Sequence, residues 1–327
     1  MTNVEQQPLR HKMKPCVVLS FPNFRKHATT GTASAYGFGH VNADTWYSEF
    51  LERILDAAAN NHHFPVFRMA DGEFIFVLGR PYYHRPAKSQ WRKWPRWTAT
   101  TLLASMFPHK GYSSVSHEEY SCKEMIQVRS IFENQLRRLA NDGVIAAALD
   151  TSPFFEPYVH PFLNWLDAKA INLNESNYIH FYSVYVLLNG PDREKLLRDR
   201  HVLVINNLNP IRQESIRTRL LGLGVASVQF LSISRNKAMF EEIDLRQVVE
   251  PINVVLVGAG VGSVNILNQL KPLQAACLDV GFSLDILAQP ERKWDRPFCV
   301  SDDEFDLTRV NFLHNSTRHV HLRRWKN

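Results

Sequence analysis

Between residues 201 and 278, short apolar runs alternate with stretches of helical spacing, and this alternation constrains the fold more than any other feature. Residues 201–205, 225–231, 252–257 and 275–278 read as strands, and residues 210–221, 237–249 and 261–270 between them as helices. Strands separated by helices of about 10 to 13 residues imply right-handed crossovers and a parallel sheet. The first half extends the pattern less regularly. Residues 16–21 form a short apolar run, Asp44 is placed to cap a helix over 45–60, and a long helix is predicted over 117–141. Residues 144–149 read as a buried strand ending in Asp150, and residues 155–170 and 178–188 as helices. The expected class is α/β, a Rossmann-like, mostly parallel sheet flanked by helices. One catalytic domain over 1–300 and a polar, basic tail over 301–327 are expected.

Residues 64–79 carry the chemistry most plainly. Phe64 to Met69 has the composition of a buried parallel strand, and Phe74, Ile75, Val77 and Leu78 resume at helical spacing. Asp71 and Glu73 flank Gly72 in between, at the carboxyl end of the strand, where open α/β sheets bind ligands. Gly72 is expected to supply turn angles closed to its neighbours. Two carboxylates so close can share a hard cation, Mg²⁺ or Mn²⁺, that also bridges to substrate phosphates. The structural alternative is that Asp71 caps the helix and Glu73 favours its dipole. Asp150, also at a strand's carboxyl end, is a weaker ligand-facing candidate.

A second signal lies near the end. A strand runs into Gly258-Ala259-Gly260-Val261-Gly262-Ser263, with Asp279 about 20 residues after Gly258 at the end of the next strand. This resembles a dinucleotide fingerprint and makes an NAD(P)-dependent or flavin oxidoreductase a rival reading. Ser263 stands in place of the third glycine, and only one more strand follows, so half of a dinucleotide site would be missing. A glycine turn at a helix start can still bind phosphate through its backbone amides. Close packing of helix on strand is the structural alternative.

Three segments, in order, resemble one family. Arg68-Met69-Ala70-Asp71-Gly72-Glu73-Phe74 is similar to the Arg-[Phe/Tyr]-Gly-Asp-Gly-Glu-Phe signature of the GT-D-fold glycosyltransferases. Ser234-Arg235-Asn236-Lys237-Ala238-Met239 is similar to that family's Ser-Lys-Asn-Ala-Phe segment with one residue inserted, which leaves Arg235 and Lys237 both open as the counterpart of its lysine. Leu278-Asp279-Val280-Gly281-Phe282-Ser283-Leu284-Asp285 follows its Asp-Ile-Gly-His-x-Asp segment, with Phe282 replacing the histidine and Ala70 replacing a glycine. The resemblance implies a GT-D-type fold, a nucleoside-diphosphate sugar donor (a UDP-sugar above all) and Mn²⁺ or Mg²⁺ on Asp71 and Glu73. It implies a donor-binding role for Arg68, with Arg235 or Lys237 sharing the diphosphate's charge. Asp150 and Asp285 are the candidates for a base, needed only if transfer inverts the anomeric carbon.

Residues 80–97 hold six Lys or Arg, five Tyr or Trp, three Pro and no acid. Aromatics among cations can stack on sugars or bases, or sit in a membrane interface while the cations meet phosphates. The segment suits an anionic glycan or lipid-linked acceptor and a peripheral membrane contact; a surface loop folded onto the body is the alternative. A nucleic-acid-binding protein is a third reading, poorly supported by a scattered net charge of +6. No apolar run reaches the roughly 18–20 residues that cross a bilayer, and the start lacks a leader's apolar core. Cys16, Cys122, Cys277 and Cys299 form no Cys-x-x-Cys pair. Unpaired thiols and no leader lead to the expectation of a cytoplasmic protein, at most peripheral at the inner membrane face.

Overall fold

The computed structural model of the chain describes residues 7–18, 34–39, 43–78, 122–151, 155–234, 237–249, 251–281 and 283–288. The segment 80–97, the tail 301–327, Arg235, Phe282 and the Asp71 side chain lie outside what it describes.

Seven parallel strands form the main sheet: β3 (Phe64–Met69), β4 (Val144–Ala147), β5 (Tyr178–His180), β6 (His201–Asn206), β7 (Ser227–Ser232), β8 (Val254–Val257) and β9 (Ala276–Asp279). Their spatial order is β5-β4-β3-β9-β8-β6-β7. The chain thus leaves β3 toward one edge, returns at β6 on the other half, and closes the sheet with β9 inserted beside β3. Every residue of β3, β4, β8 and β9 is buried, as continuous apolar strands covered on both faces require.

Successive residues of β3 point to opposite faces. Phe67 meets Phe132 of α4 (Cys122–Asp142), with ring centroids 6.0 Å apart. Arg68 points the other way, toward α6 (Tyr182–Asn189). The helix α9 (Ser263–Gln269) packs beside α4 on β3, β8 and β9, while α2 (Ala43–Asn60) and α7 (Asp192–Leu197) share the side of α6. The helix α3 (Asp71–Leu78) follows β3 and is fastened to α5 (Glu156–Ala168) by Phe74, fully buried among Phe155, Tyr158 and Phe162. Burying that ring is worth about 1.5–3 kcal/mol. The helix α8 (Pro210–Gly222) is capped by Asn209, whose side chain accepts from Arg212 N–H, with Pro210 at its first position. The last described helix, α10 (Ser283–Ala288), packs on α8.

Several expectations give way to tertiary context. The apolar run at 16–21 enters no main-sheet strand. Instead β1 (Lys14–Val18) pairs antiparallel with β2 (Ser34–Gly37), and α1 (Leu9–Lys12) precedes it. Asp44 lies within the first turn of α2, not at its cap. Residues 178–188 are not one helix: Tyr178–His180 is drawn into the sheet beside β4, and α6 starts after Phe181. The helix expected over 237–249 is a turn at 237–240 and a 3₁₀ turn at Leu245–Gln247. Side chains hold this segment's backbone groups: Glu241 accepts from Ser234 N–H, Gln269 from Ile243 N–H and Asp244 from Arg246 N–H. Such bonds compete with a helical ladder.

Away from the sheet's carboxyl end, Tyr47 of α2 donates to Asp192 of α7 at 3.0 Å, and both are buried. Burial first, then the charge and bond of Asp192, raise the phenol's pKa above its ordinary value. A raised folded-state pKa means this stabilisation is complete below the unfolded value of about 10 and is lost as pH climbs beyond it. We expect Tyr47→Phe to cost about 1.5–3 kcal/mol at pH 7, the range for a bond to a charged partner. Urea unfolding at pH 7 and pH 10.5 checks this. The gap between variant and wild type should narrow at the higher pH, and a constant gap would show that the phenol is not the group titrating.

Candidate active site

At the carboxyl end of β3 the chain passes directly into α3 through one residue. Ala70 C=O accepts from Phe74 N–H at 2.9 Å, and Ala70 N–H donates to Glu73 Oε2 at 3.0 Å. This is the backward half of a capping box, so Glu73 does serve the helix start, whereas Asp71, expected as the cap in the structural alternative, is the first residue of α3. Glu73 is half-buried, and its charge is close enough to favour the charged form of Arg68. Gly72 lies in ordinary helical backbone, so the turn does not depend on glycine's special angles. A Cβ at Gly72 would meet nothing within 4 Å, so its absence leaves open space beside the acidic pair.

Beneath the turn lies a buried charged cluster. Arg68 is 7% exposed; its Nη2 is 3.8 Å from Asp279 Oδ1, and its backbone N–H donates to Asp279 Oδ2 at 3.3 Å. The guanidinium carbon sits 4.8 Å from the Tyr185 ring centroid and 5.3 Å from that of Phe181. Its Nε and Nη1 are buried and have no hydrogen-bond partner. Desolvation works against the charge, but Tyr185, Asp279 and Glu73 outweigh it and the guanidinium's pKa rises. Burial pushes the Asp279 carboxyl above its ordinary range, and Arg68, Ser263 and two backbone N–H groups pull it back only in part.

The glycine segment joins this cluster. Ser263 Oγ donates to Asp279 Oδ1 at 3.0 Å and accepts from Ala259 N–H at 3.3 Å. The 3₁₀ turn Gly260–Gly262 packs against α3, which brings the glycine turn beside the acidic one. Packing accounts for two glycines: a Cβ at Gly258 would fall 2.6 Å from Leu284 Cδ1, and one at Gly262 would fall 2.4 Å from Ala238 Cβ. Gly260 has φ +56°, a left-handed angle.

Two expected residues fall elsewhere. Asp150 lies past β4, bridged to Ala35 of β2, and is 1% exposed. Its Oδ2 is 3.2 Å from His180 Nε2, and Tyr182 N–H faces His180 Nδ1 at 3.4 Å. With Nδ1 accepting, the proton sits on Nε2 and is donated to Asp150. Asp285 of α10 is half-buried and ion-pairs with Arg212 of α8 at 3.6 Å. Lys237 is exposed, its N–H donating to Ser234 Oγ at 3.2 Å. Sequence reasoning missed His180, Phe181 and Tyr185 because 178–188 read as one helix; the sheet's claim on Tyr178–His180 is a long-range effect.

Glu73 places a hard oxygen donor of the kind Mg²⁺ or Mn²⁺ takes at this turn, and the Asp71 side chain lies outside what is described. Among the described residues no group of three or more His, Cys, Asp or Glu is placed to hold a metal. No helix among them is long and apolar enough to cross a membrane.

No family model and no curated relative match the sequence. Among solved structures the chain is similar to one described as "A New Glycosyltransferase (DUF1792) from Streptococcus sanguinis", at 14% identity and a TM-score of 0.43, over 75% of this chain and 85% of that chain. A second is described as "The highly conserved domain of unknown function 1792 has a distinct glycosyltransferase fold", at 11% identity and a TM-score of 0.41, over 75% of this chain and 82% of that chain. A third is a selenomethionine-substituted domain of unknown function 1792, at 11% identity and a TM-score of 0.40, over 76% of this chain and 88% of that chain. At such identities and TM-scores, chemistry has to be sought in this chain's own residues.

Proposed function

We propose that this chain is a metal-dependent glycosyltransferase that moves a sugar from a nucleoside-diphosphate sugar, a UDP-sugar above all, to a glycan or lipid-linked acceptor. One observation carries the reading. The acidic turn of Asp71 and Glu73 stands at the carboxyl end of a central parallel strand, close to a buried arginine with two nitrogens unpartnered among the described residues. An oxygen-ligand pair and a desolvated cation side by side suit a diphosphate, and the segment from Arg68 to Phe74 resembles the signature of the GT-D-fold glycosyltransferases.

In the transfer, the acceptor oxygen bonds to the anomeric carbon as the bond from that carbon to the diphosphate oxygen breaks. Negative charge grows on the departing diphosphate. Arg68, fixed in a low-dielectric pocket, stabilises that charge without reorganising. Asp71 and Glu73 would hold Mn²⁺ or Mg²⁺, which when bound supplies further charge neutralisation to the diphosphate. Arg235 or Lys237 would add to it from the rim, and the glycine turn at 258–263 would border the nucleotide. A base is needed only if transfer inverts the anomeric carbon; Asp150, buried against His180, and Asp285, paired with Arg212, are the candidates from the sequence, and both lie outside the Arg68 cluster. Residues 80–97 would grip an anionic acceptor, at a membrane surface where that acceptor is lipid-linked.

The oxidoreductase reading has a specific observation against it. Asp279, the residue that would meet a dinucleotide's ribose, is 3% exposed and engaged with Arg68 and Ser263. Thermal-shift screening separates the readings, because a ligand that binds only the folded state raises the melting temperature. We expect a rise with a UDP-sugar and Mn²⁺ that chelation by EDTA reverses. A saturable rise with NADH or NADPH, and none with the nucleotide sugar, would hand the site to redox chemistry.

A further inference from the structure

Arg68 and Asp279 are 211 residues apart in sequence, yet they share one buried pocket, and neither is accounted for by packing alone. A guanidinium placed only to fill space would have its donors satisfied, because a buried unmade hydrogen bond is costly. Here Nε and Nη1 have no partner, while everything else around the group is arranged to hold it. Two rings, Phe181 and Tyr185, pack on one side of it, Asp279 stands at its Nη2 side, and both carboxylate oxygens of Asp279 are engaged. Oδ1 accepts from Ser263 and Oδ2 from the backbone N–H of Arg68. Each carboxylate oxygen of Asp279 is thus taken by a donor of the protein, whereas two nitrogens of the guanidinium are left over.

We infer that Asp279 is a positioning residue: standing beside Nη2, it holds the Arg68 guanidinium so that its unpartnered nitrogens, Nε and Nη1, are kept for a phosphoryl oxyanion, and through Ser263 it ties the guanidinium to the glycine turn. This rests on the glycosyltransferase reading and deepens it. Asp279 itself touches no substrate. Arginine's rigid, planar guanidinium holds its donors at fixed positions in one plane, and lysine cannot reproduce that geometry. Loss of the outer residue that fixes such a group typically costs 10–100-fold in affinity where this has been measured at metal ligands.

The test is a double-mutant cycle on the full chain, read by calorimetric binding of UDP with Mn²⁺ and by the ¹⁵Nε–H signal of Arg68. We expect Asp279→Asn and Arg68→Lys each to weaken UDP binding by roughly 10–100-fold. The double variant should be no weaker than Arg68→Lys alone, because Asp279 acts only through Arg68. The Arg68 Nε–H signal should shift and exchange faster in Asp279→Asn. Ser263→Ala, which keeps Arg68 and Asp279 together, should give a smaller loss in the same direction. Additive losses, or an Arg68 signal unchanged in Asp279→Asn, overturn the positioning role. If that signal responds while Arg68→Lys binds UDP as the wild type does, Arg68 is no phosphate contact: the oxyanion-facing role fails, and the glycosyltransferase reading loses its carrying observation. Unfolding of Asp279→Asn, judged from its melt, moves the decision to Ser263→Ala combined with Arg68→Lys, where additivity again overturns the proposal.

Discussion

Glu73→Gln is expected to abolish metal-dependent transfer, by at least about 100-fold, while leaving the fold nearly as stable as before. The two halves of that expectation have separate origins. Glutamine keeps the acceptor that Ala70 N–H uses at 3.0 Å, because the backward bond of a capping box is made by Gln as well as Glu. What is lost is one negative charge near a helix start, about 0.3–1 kcal/mol. The same charge is half of the oxygen pair that would hold the cation. Donor turnover against Mn²⁺ concentration, beside a circular-dichroism melt, reads both. Unchanged activity and metal dependence would remove Glu73 from the metal site. A collapse of the melt, shared by Glu73→Ala, would reduce it to a helix cap. Asp71→Asn is expected to lose activity in the same way.

Gly281→Ala is expected to damage the site from a position that touches no substrate. Gly281 has φ +43°, and a Cβ there would lie 2.1 Å from Arg68 Nη2. The backbone angle alone costs roughly 1–2 kcal/mol for a residue with a side chain. Overpacking against a guanidinium held by two rings and Asp279 adds about 1–3 kcal/mol, unless Arg68 moves. Stability should therefore fall by roughly 2–5 kcal/mol in denaturant titration, and UDP affinity should fall with it because Arg68 is displaced. Gly72→Ala is the informative contrast. Its Cβ would meet nothing within 4 Å in a helical backbone, so its stability should hold or rise by up to about 1 kcal/mol. A Gly281→Ala protein as stable and as avid for UDP as the wild type would show that Arg68 has room the structure does not give it.

Much of the architecture was legible locally. Phe64–Met69 was readable as a buried strand to the residue, because a continuous apolar run bounded by polar residues has few other uses. The same holds for the alternation from His201 onward, although the strands begin or end up to two residues from where the periodicity put them. The acidic turn was legible too, as residue types at a strand end. Its detailed form was not: Gly72 looked necessary for a turn, whereas the strand enters α3 through Ala70 alone with ordinary helical backbone at the glycine.

What the sequence by itself determined is whatever depends on neighbours along the chain: the class of fold, the strand-then-helix units, the acids at the end of β3 and the glycine turn after β8. Only the tertiary structure decided what those pieces do to one another. The helical pattern at 237–249 lost to Asp244 and Gln269, whose side chains take the Arg246 and Ile243 N–H groups that a helix would need. Tyr178–His180 became a strand because β4 offered it an edge, and that put His180 against Asp150. Asp279 read as part of a dinucleotide-like fingerprint by its distance from Gly258, and folding sets it beside Arg68. The reason is physical: β9 is the last strand among the described residues but is inserted beside β3, and the low dielectric between them makes an unpaired charge costly. Pairing enforced by burial has no period and no fixed spacing, so it leaves no trace in the sequence until the sheet is closed.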